Sequence, residues 1–247
     1  MGNHLPSRTY ALVLAIFFLM MVIFAGWLLF KASGYQILQS PFRIVKTSLL
    51  DLTVHPDDQL TISLNGKAMP PNKHTLTNLS PGRYQIIIER PDYQPWETTT
   101  DLEPGEALSY PDIILFLKQP VAVVVENAEA KIYESVLSHP ERFQAGLQVF
   151  GNEVWANEKL VTRYSEPVKQ ALWLPDNVHI LIQLADSLHV VERTGGHDII
   201  LLAFAVDTPI TRFAPLVGGE KLIIQSVGKL ELLTITAPFG RVSFPSL

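Results

Sequence analysis

Cysteine is absent from the 247-residue chain, which excludes disulfide scaffolds, zinc–thiolate centres and cysteine nucleophiles together. Charge is also scarce: 17% of residues are Asp, Glu, Lys or Arg, against roughly 25% in an average soluble protein. The 19 Lys and Arg are outnumbered by 24 Asp and Glu and form no cluster. No positive stripe is therefore offered to a phosphate backbone, and nucleic acid is not an expected partner. Neither Gly-x-x-x-x-Gly-Lys nor Gly-x-Gly-x-x-Gly occurs, so no phosphate-cradling loop is encoded, and His-Glu-x-x-His is missing too. What the chain has in quantity is apolar side chains, 47% of the total, too many for a disordered polypeptide.

Part of that apolar content is concentrated near the N-terminus. Tyr10 to Phe30 reads YALVLAIFFLMMVIFAGWLLF, without a single charge. As a helix this run spans roughly 31 Å, the thickness of a bilayer's hydrocarbon layer. Tyr10 and Trp27 stand near its two ends, where amphipathic rings prefer the interface, and Arg8 and Lys31 flank it. A cleaved signal peptide has a shorter apolar core and small residues at its cleavage site, whereas Phe30-Lys31-Ala32-Ser33 offers no such pair. The segment is read as an uncleaved anchor, with residues 1–32 forming tail and transmembrane helix and residues 10–30 in contact with the lipid bilayer. Charge bias does not orient it: Arg8 precedes the helix and Lys31, Arg43 and Lys46 follow, which leans towards a cytoplasmic C-terminus. The lack of Cys is at home outside the cytoplasm. Met-Gly-Asn is no myristoylation signal, because Pro6 fills the Ser/Thr position.

Beyond the anchor, short alternating runs follow one another. Leu50–Val54 and Leu60–Leu64 alternate as half-buried strands do, and Asn65-Gly66 then supplies the pair preferred in a tight hairpin turn. Thr75-Leu76-Thr77, Arg83 to Arg90, Glu97 to Leu102 and Ile113 to Phe116 complete the series, punctuated by Pro81-Gly82 and Pro104-Gly105. Strands at this spacing predict a small antiparallel sandwich. The run Leu64-Asn65-Gly66-Lys67, then Leu79-x-Pro81-Gly82-x-Tyr84, Tyr93-x-x-Trp96 and Pro104-Gly105-Glu106 resembles the PEGA domain, a β-sandwich module of bacterial and archaeal surface proteins. The likeness covers roughly residues 47–117; Asp92 stands where many members have Gly, and Asp57-Asp58-Gln59 where small residues are usual. It implies a β-sandwich over 33–118 including its lead-in, and it orients the chain with the C-terminal domains outside the cytoplasm. Tyr84 and Trp96 are read as core fillers between thin sheets, in preference to a sugar-stacking platform with Tyr93.

The C-terminal half contains an internal repeat at a constant offset, the one that carries Pro167 onto Pro209. Pro167-Val168-Lys169 matches Pro209-Ile210-Thr211, His179-Ile180-Leu181-Ile182-Gln183 matches Lys221-Leu222-Ile223-Ile224-Gln225, and Leu188–Val191 matches Leu230–Leu233. Each unit reads strand, turn, strand, turn, strand, and Ile199 to Phe204 adds a fourth to the first unit. Four strands in such a length is the size of a propeller blade, and the pattern resembles WD-type or related β-propeller repeats, without a closing Trp-Asp. A degenerate earlier copy runs from His139 to Arg163. Two to three blades over 119–247 fall short of the four to eight of a closed ring, so an incomplete set with an unpaired edge strand is expected. Asn127 to Ser138 reads either as a linker helix capped by Asn127 or as the first strand of a blade.

No chemistry emerges from the remaining polar residues. His189, His197 and Asp198 cluster in sequence, but the Gly195-Gly196 turn accounts for their polarity better than a metal does. Ser226 lacks the glycine and the strand-to-helix context of a nucleophile elbow. Asp57-Asp58 reads as a solvated turn. No catalytic, cofactor-binding or metal residue is assigned and no cofactor is expected. The expectation is a mainly β, non-catalytic envelope or surface protein that binds or scaffolds, with cell wall, a surface glycan or another envelope protein as partner. The alternative is an envelope hydrolase with its site in the repeat region, which a convergent His/carboxylate cluster would favour.

Overall fold

The uncharged run folds as expected into one long helix, α1 (Ser7–Ala32). In the computed structural model, which describes residues 7–39, 42–70, 73–205 and 209–238, its apolar side chains are exposed on every side. The 23 residues Tyr10–Ala32 are long and apolar enough to cross a membrane. A hairpin of β1 (Tyr35–Gln39) and β2 (Phe42–Lys46) follows directly.

The series of short strands also forms. β3 (Ser48–His55), β4 (Thr61–Leu64), β5 (Lys67–Ala68), β6 (Thr75–Leu79), β7 (Gly82–Glu89), β8 (Trp96–Leu102) and β9 (Ala107–Ile114) build two sheets, in the orders β6-β3-β9 and β5-β4-β7-β8. Alternation works as read: Ser48, Leu50, Leu52 and Val54 of β3 are buried. Asn65 and Gly66 both adopt positive φ, 48° and 76°, as the two central residues of a tight hairpin turn require. The last strand differs from expectation, beginning at Ala107 and not at Ile113. Pro111 interrupts the alternating pattern there, on a strand that among the described residues lies at its sheet's edge, the place in a sheet where proline is accommodated.

Contacts divide the chain into two compact units, one of residues 1–51, 74–84 and 100–109, the other of 52–73, 85–99 and 110–247. The second contains β10 (Val121–Val124), α2 (Asn127–Leu137), β11 (Leu147–Phe150), β12 (Glu153–Ala156), β13 (Lys159–Arg163), β14 (Gln170–Trp173), β15 (His179–Gln183), β16 (Ser187–Glu192), β17 (Ile199–Ala203), β18 (Ile210–Pro215), β19 (Lys221–Ser226) and β20 (Lys229–Thr234). These strands form three antiparallel sheets, ordered β11-β12-β13, β14-β15-β16-β17 and β10-β20-β19-β18, none closed among the described residues. The segment with two readings is helical, with Glu126 and not Asn127 at the cap position.

The repeat extends to the pairing register. Gln170↔Gln183, Ala171↔Ile182, Leu172↔Leu181 and Trp173↔Ile180 become, at the equivalent positions of the second copy, Arg212↔Gln225, Phe213↔Ile224, Ala214↔Ile223 and Pro215↔Leu222. The next pair of strands agrees in the same way, from His179↔Glu192 and Lys221↔Thr234 down to Gln183↔Leu188 and Gln225↔Leu230. The turns agree too: Leu174 N–H donates to the His179 carbonyl at 2.8 Å, and Leu216 N–H to the Lys221 carbonyl at 2.9 Å. Asn177 (φ 56°) and Gly219 (φ 77°) occupy the same left-handed turn position, which suits Gly and, less often, Asn.

Equivalent residues also face equivalent ways, so the sheets stack head to tail. Trp173, Ile180, Ile182 and Val191 of the first repeat meet Val154, Ala156 and Val161 of the β11–β13 sheet. Leu172, Leu181, Leu188 and Val190 on the opposite face meet Phe213, Leu222, Ile224 and Leu233 of the second repeat, with Ile114 and Phe116 in the same core. The second repeat's remaining face, Ala214 and Ile223, is covered by Leu137, Tyr133 and Val136 of α2. A helix thus occupies the place of a further sheet. Its ion pair from Arg212 to Glu134, at 2.8 Å, joins it to β18.

Candidate functional site

The polar residues of the second unit converge around two places that the sequence left scattered. The first surrounds Trp96. Its indole is 2% exposed, its Nε1–H donates to Glu192 Oε1 at 2.6 Å, and the edge of its ring meets Tyr110 with centroids 5.5 Å apart. His197 lies tilted over it at 6.3 Å. The turn that carries His197 hangs on Gly195 (φ 83°), where a Cβ would collide with the Val161 carbonyl. Nearby, His179 is fully buried and its Nδ1–H donates to Asp176 Oδ2 at 2.7 Å, while Asp176 Oδ1 accepts the Val178 and His179 amides at 2.9 and 3.0 Å. Nε2 of His179 is buried without a hydrogen-bond partner among the described residues. Burial alone would raise the Asp176 pKa, but the His179 ring and the amides outweigh it and hold the carboxyl below its ordinary range.

The charge balance here sets a pH response. Burial pushes His197 below the ordinary histidine range and His179 adds to this, although Glu192, Glu97 and Asp198 pull the other way. The unfolded chain takes up this proton near pH ~6.5 while the folded one resists it, so stability is lost as pH falls from there towards the lowered folded value. Asp176 acts in the same direction below about pH 3.9, its unfolded value. We expect the urea midpoint to fall between about pH 7.5 and about pH 5.5 and His197→Gln to flatten that decline. An unchanged slope in the variant would remove His197 from the account.

The second place is a hydrogen-bonded chain on β16 and the turn after it. Ser187 and His189 alternate on one strand and so share a face. His189 Nε2 lies 3.2 Å from Ser187 Oγ and its Nδ1–H donates to Asp198 Oδ1 at 2.7 Å, the connectivity of a Ser-His-Asp triad. The Tyr164 ring packs edge-on over His189 at 5.3 Å, and its phenol pKa is raised by burial and by the adjacent Asp198. Ser187 is buried at 7% exposure, and Asp186 Oδ1 lies 3.1 Å from its Oγ. One hydroxyl proton therefore has two acceptors, the imidazole and a carboxylate. Sequence reasoning noted His189 and Asp198 but missed Ser187, whose only signal is its alternation with His189 along the strand.

Tyr93 is buried and carries the Arg90 guanidinium 4.3 Å above its ring. Arg90 also binds both oxygens of Asp58 at 2.9 Å, and these bonds hold the Asp58 carboxyl below its ordinary range. A cavity of about 310 Å³ opens beside Arg90, Tyr93 and Lys118. Tyr84 is half-buried and donates its hydroxyl to the Ser80 carbonyl at 2.7 Å. Ser226 ends strand β19. Among the described residues no group of three or more His, Asp or Glu is arranged to hold a metal. At the sheet margin, β10 is among the described residues the outermost strand of its sheet and leaves Val121, Val123 and Val124 57–59% exposed. Comparison of the chain with family models and with curated proteins yields no match.

Proposed function

We propose that the chain is a membrane-anchored envelope or surface protein whose β modules lie outside the cytoplasm and bind a partner without covalent chemistry. The anchor is α1. The strand series over residues 47–117 supports reading that region as a PEGA-like sandwich, and the stacking of register-matched repeats supports reading 119–247 as an incomplete propeller-like array. The observation that carries the binding role is the outer edge of β10, where an exposed run of valines meets a row of backbone groups with no strand beside it among the described residues. Such an edge is a template for an added strand, which favours another envelope protein over a glycan as partner.

The absence of cysteine makes the test direct. Val217→Cys, in a loop residue 85% exposed, is expected to react with a membrane-impermeant maleimide on intact cells. Val123→Cys is expected to be protected in cells and to react once the protein is purified. Reaction of Val217→Cys only after lysis would reverse the orientation, and equal reaction of Val123→Cys in both states would leave the edge without a partner.

A second reading, an envelope hydrolase, is favoured by the Ser187–His189–Asp198 geometry alone. Against it stand the burial of Ser187 and the competing Asp186 acceptor. A fluorophosphonate probe, which labels activated serines, is expected to leave the protein unmodified. Labelling that Ser187→Ala abolishes would instead establish the hydrolase.

A further inference from the structure

The hairpin of β1 and β2 is a sheet of two strands with no third strand beside it among the described residues. Alone in water such a hairpin is marginal, and this one exposes apolar side chains. Its register sets Tyr35 opposite Lys46 and Ile37 opposite Ile44, so Lys46 shares one face with the large apolar residues Tyr35, Ile37 and Ile44. Tyr35, Ile37 and Ile44 are 40%, 48% and 56% exposed. Arg43, also exposed, occupies a register position on the other face.

The hairpin is held close to the end of the anchor. Ser33 N–H donates to the Leu29 carbonyl at 2.9 Å and Gly34 N–H to the Lys31 carbonyl at 3.1 Å, which carries the hydrogen bonding of the helix to the first residues beyond it. Gly34 then turns the chain at φ 77°. Its carbonyl accepts two bonds from Thr47, from N–H at 2.7 Å and from Oγ1–H at 2.8 Å, so the return strand is tied to the same point. The Phe30 and Tyr35 rings stack across the junction with centroids 5.5 Å apart. Only Ser33 and Gly34 separate Ala32 from Tyr35, a reach of at most roughly 10 Å from Cα to Cα. The polar layer on each side of the hydrocarbon core is about 5–8 Å deep.

We infer that the Tyr35/Ile37/Ile44 face of this hairpin docks on the surface of the lipid bilayer next to α1, as a second membrane contact. This rests on the reading of α1 as membrane-spanning. Lipid is the occupant because the face begins where the apolar helix ends and is tied there by hydrogen bonds. Tyr suits the interface, the isoleucines suit the upper acyl region, and exposed Lys31 and Lys46 suit anionic headgroups. The contact fixes the height of the chain as it leaves the membrane, where a flexible linker would not.

The full-length protein, reconstituted into phosphatidylcholine–phosphatidylglycerol vesicles, tests this through single-cysteine variants carrying an environment-sensitive fluorophore. On Ile44→Cys the label is expected to emit at shorter wavelength, to be quenched by lipids bearing a nitroxide near the headgroup, and to lose quenching by aqueous iodide. On neighbouring Arg43→Cys it is expected to stay iodide-quenched. On Phe17→Cys, within α1, it is expected to be quenched by a deep nitroxide. Iodide quenching at Ile44→Cys equal to that at Arg43→Cys would overturn the docking while the Phe17→Cys result leaves the anchor standing. Shielding from iodide without nitroxide quenching would overturn it in favour of a second copy or another protein. A Phe17→Cys label untouched by deep nitroxide would overturn the anchor itself.

Discussion

Trp96→Ala should cost about 3–5 kcal/mol, the usual range for deleting a buried aromatic. The indole is almost wholly removed from water, its ring edge meets Tyr110, and its N–H ends on the Glu192 carboxylate at 2.6 Å. Truncation therefore opens a cavity and leaves the carboxylate, among the described residues, with the Thr194 hydroxyl at 3.4 Å as its side-chain donor. Trp96→Phe separates the two effects, since it keeps most of the apolar volume and removes the donor. We expect it to cost about 1–3 kcal/mol, the range for leaving a charged acceptor short of its partner. Urea unfolding of the purified protein followed by circular dichroism gives both numbers. A Trp96→Ala midpoint equal to that of the wild type would show that the side chain is dispensable to the fold and would return it to consideration as a ligand contact.

Ile180→Ala and Leu222→Ala should each cost about 2–5 kcal/mol, and their effects should add. The two residues are the same position of the repeat, paired to Trp173 and Pro215 and fully buried. They point into different cores, Ile180 towards Val154 and Val161, Leu222 towards Leu181 and Val190. Sites without shared neighbours combine additively, so the double variant should show the sum of the single costs within about 0.5 kcal/mol. A double variant no less stable than the worse single one would mean that the sheets unfold separately and that only one is being observed. Equal register with independent cores is what head-to-tail stacking of a repeat requires.

The parts of this molecule legible in its sequence are those governed by near neighbours. The uncharged run from Tyr10 to Phe30 satisfies its own backbone groups as a helix that is long and apolar enough to cross a membrane, so α1 follows from composition alone. Asn65-Gly66, Gly195-Gly196 and the Asn177/Gly219 pair mark turns because few residues tolerate the positive φ those turns need. The C-terminal repeat is visible because each copy solves the same packing problem, burying its middle strand on both faces, and so keeps Ile180-Leu181-Ile182 and Leu222-Ile223-Ile224 in step.

Tertiary structure decided what depends on partners far away in the chain. In the first repeat the outer strand is the local β17, paired to β16; in the second its place beside β20 is taken by β10, from before both repeats. Nothing in Val121–Val124 marks it for that edge, because a short apolar strand fits any open edge equally well until the fold leaves one vacant. The role of α2 as cover for Ala214 and Ile223 is likewise invisible in its own pattern, which only offers an apolar stripe. The same holds for polar pairs. Ser187 and His189 meet because strand geometry aligns alternate residues, but Asp198 joins them, and Glu192 reaches Trp96 across 96 positions of sequence, only once the turns around Gly195 are packed. Local sterics are written in short stretches of residues, whereas which surfaces meet is settled by competition among all the exposed edges and faces at once.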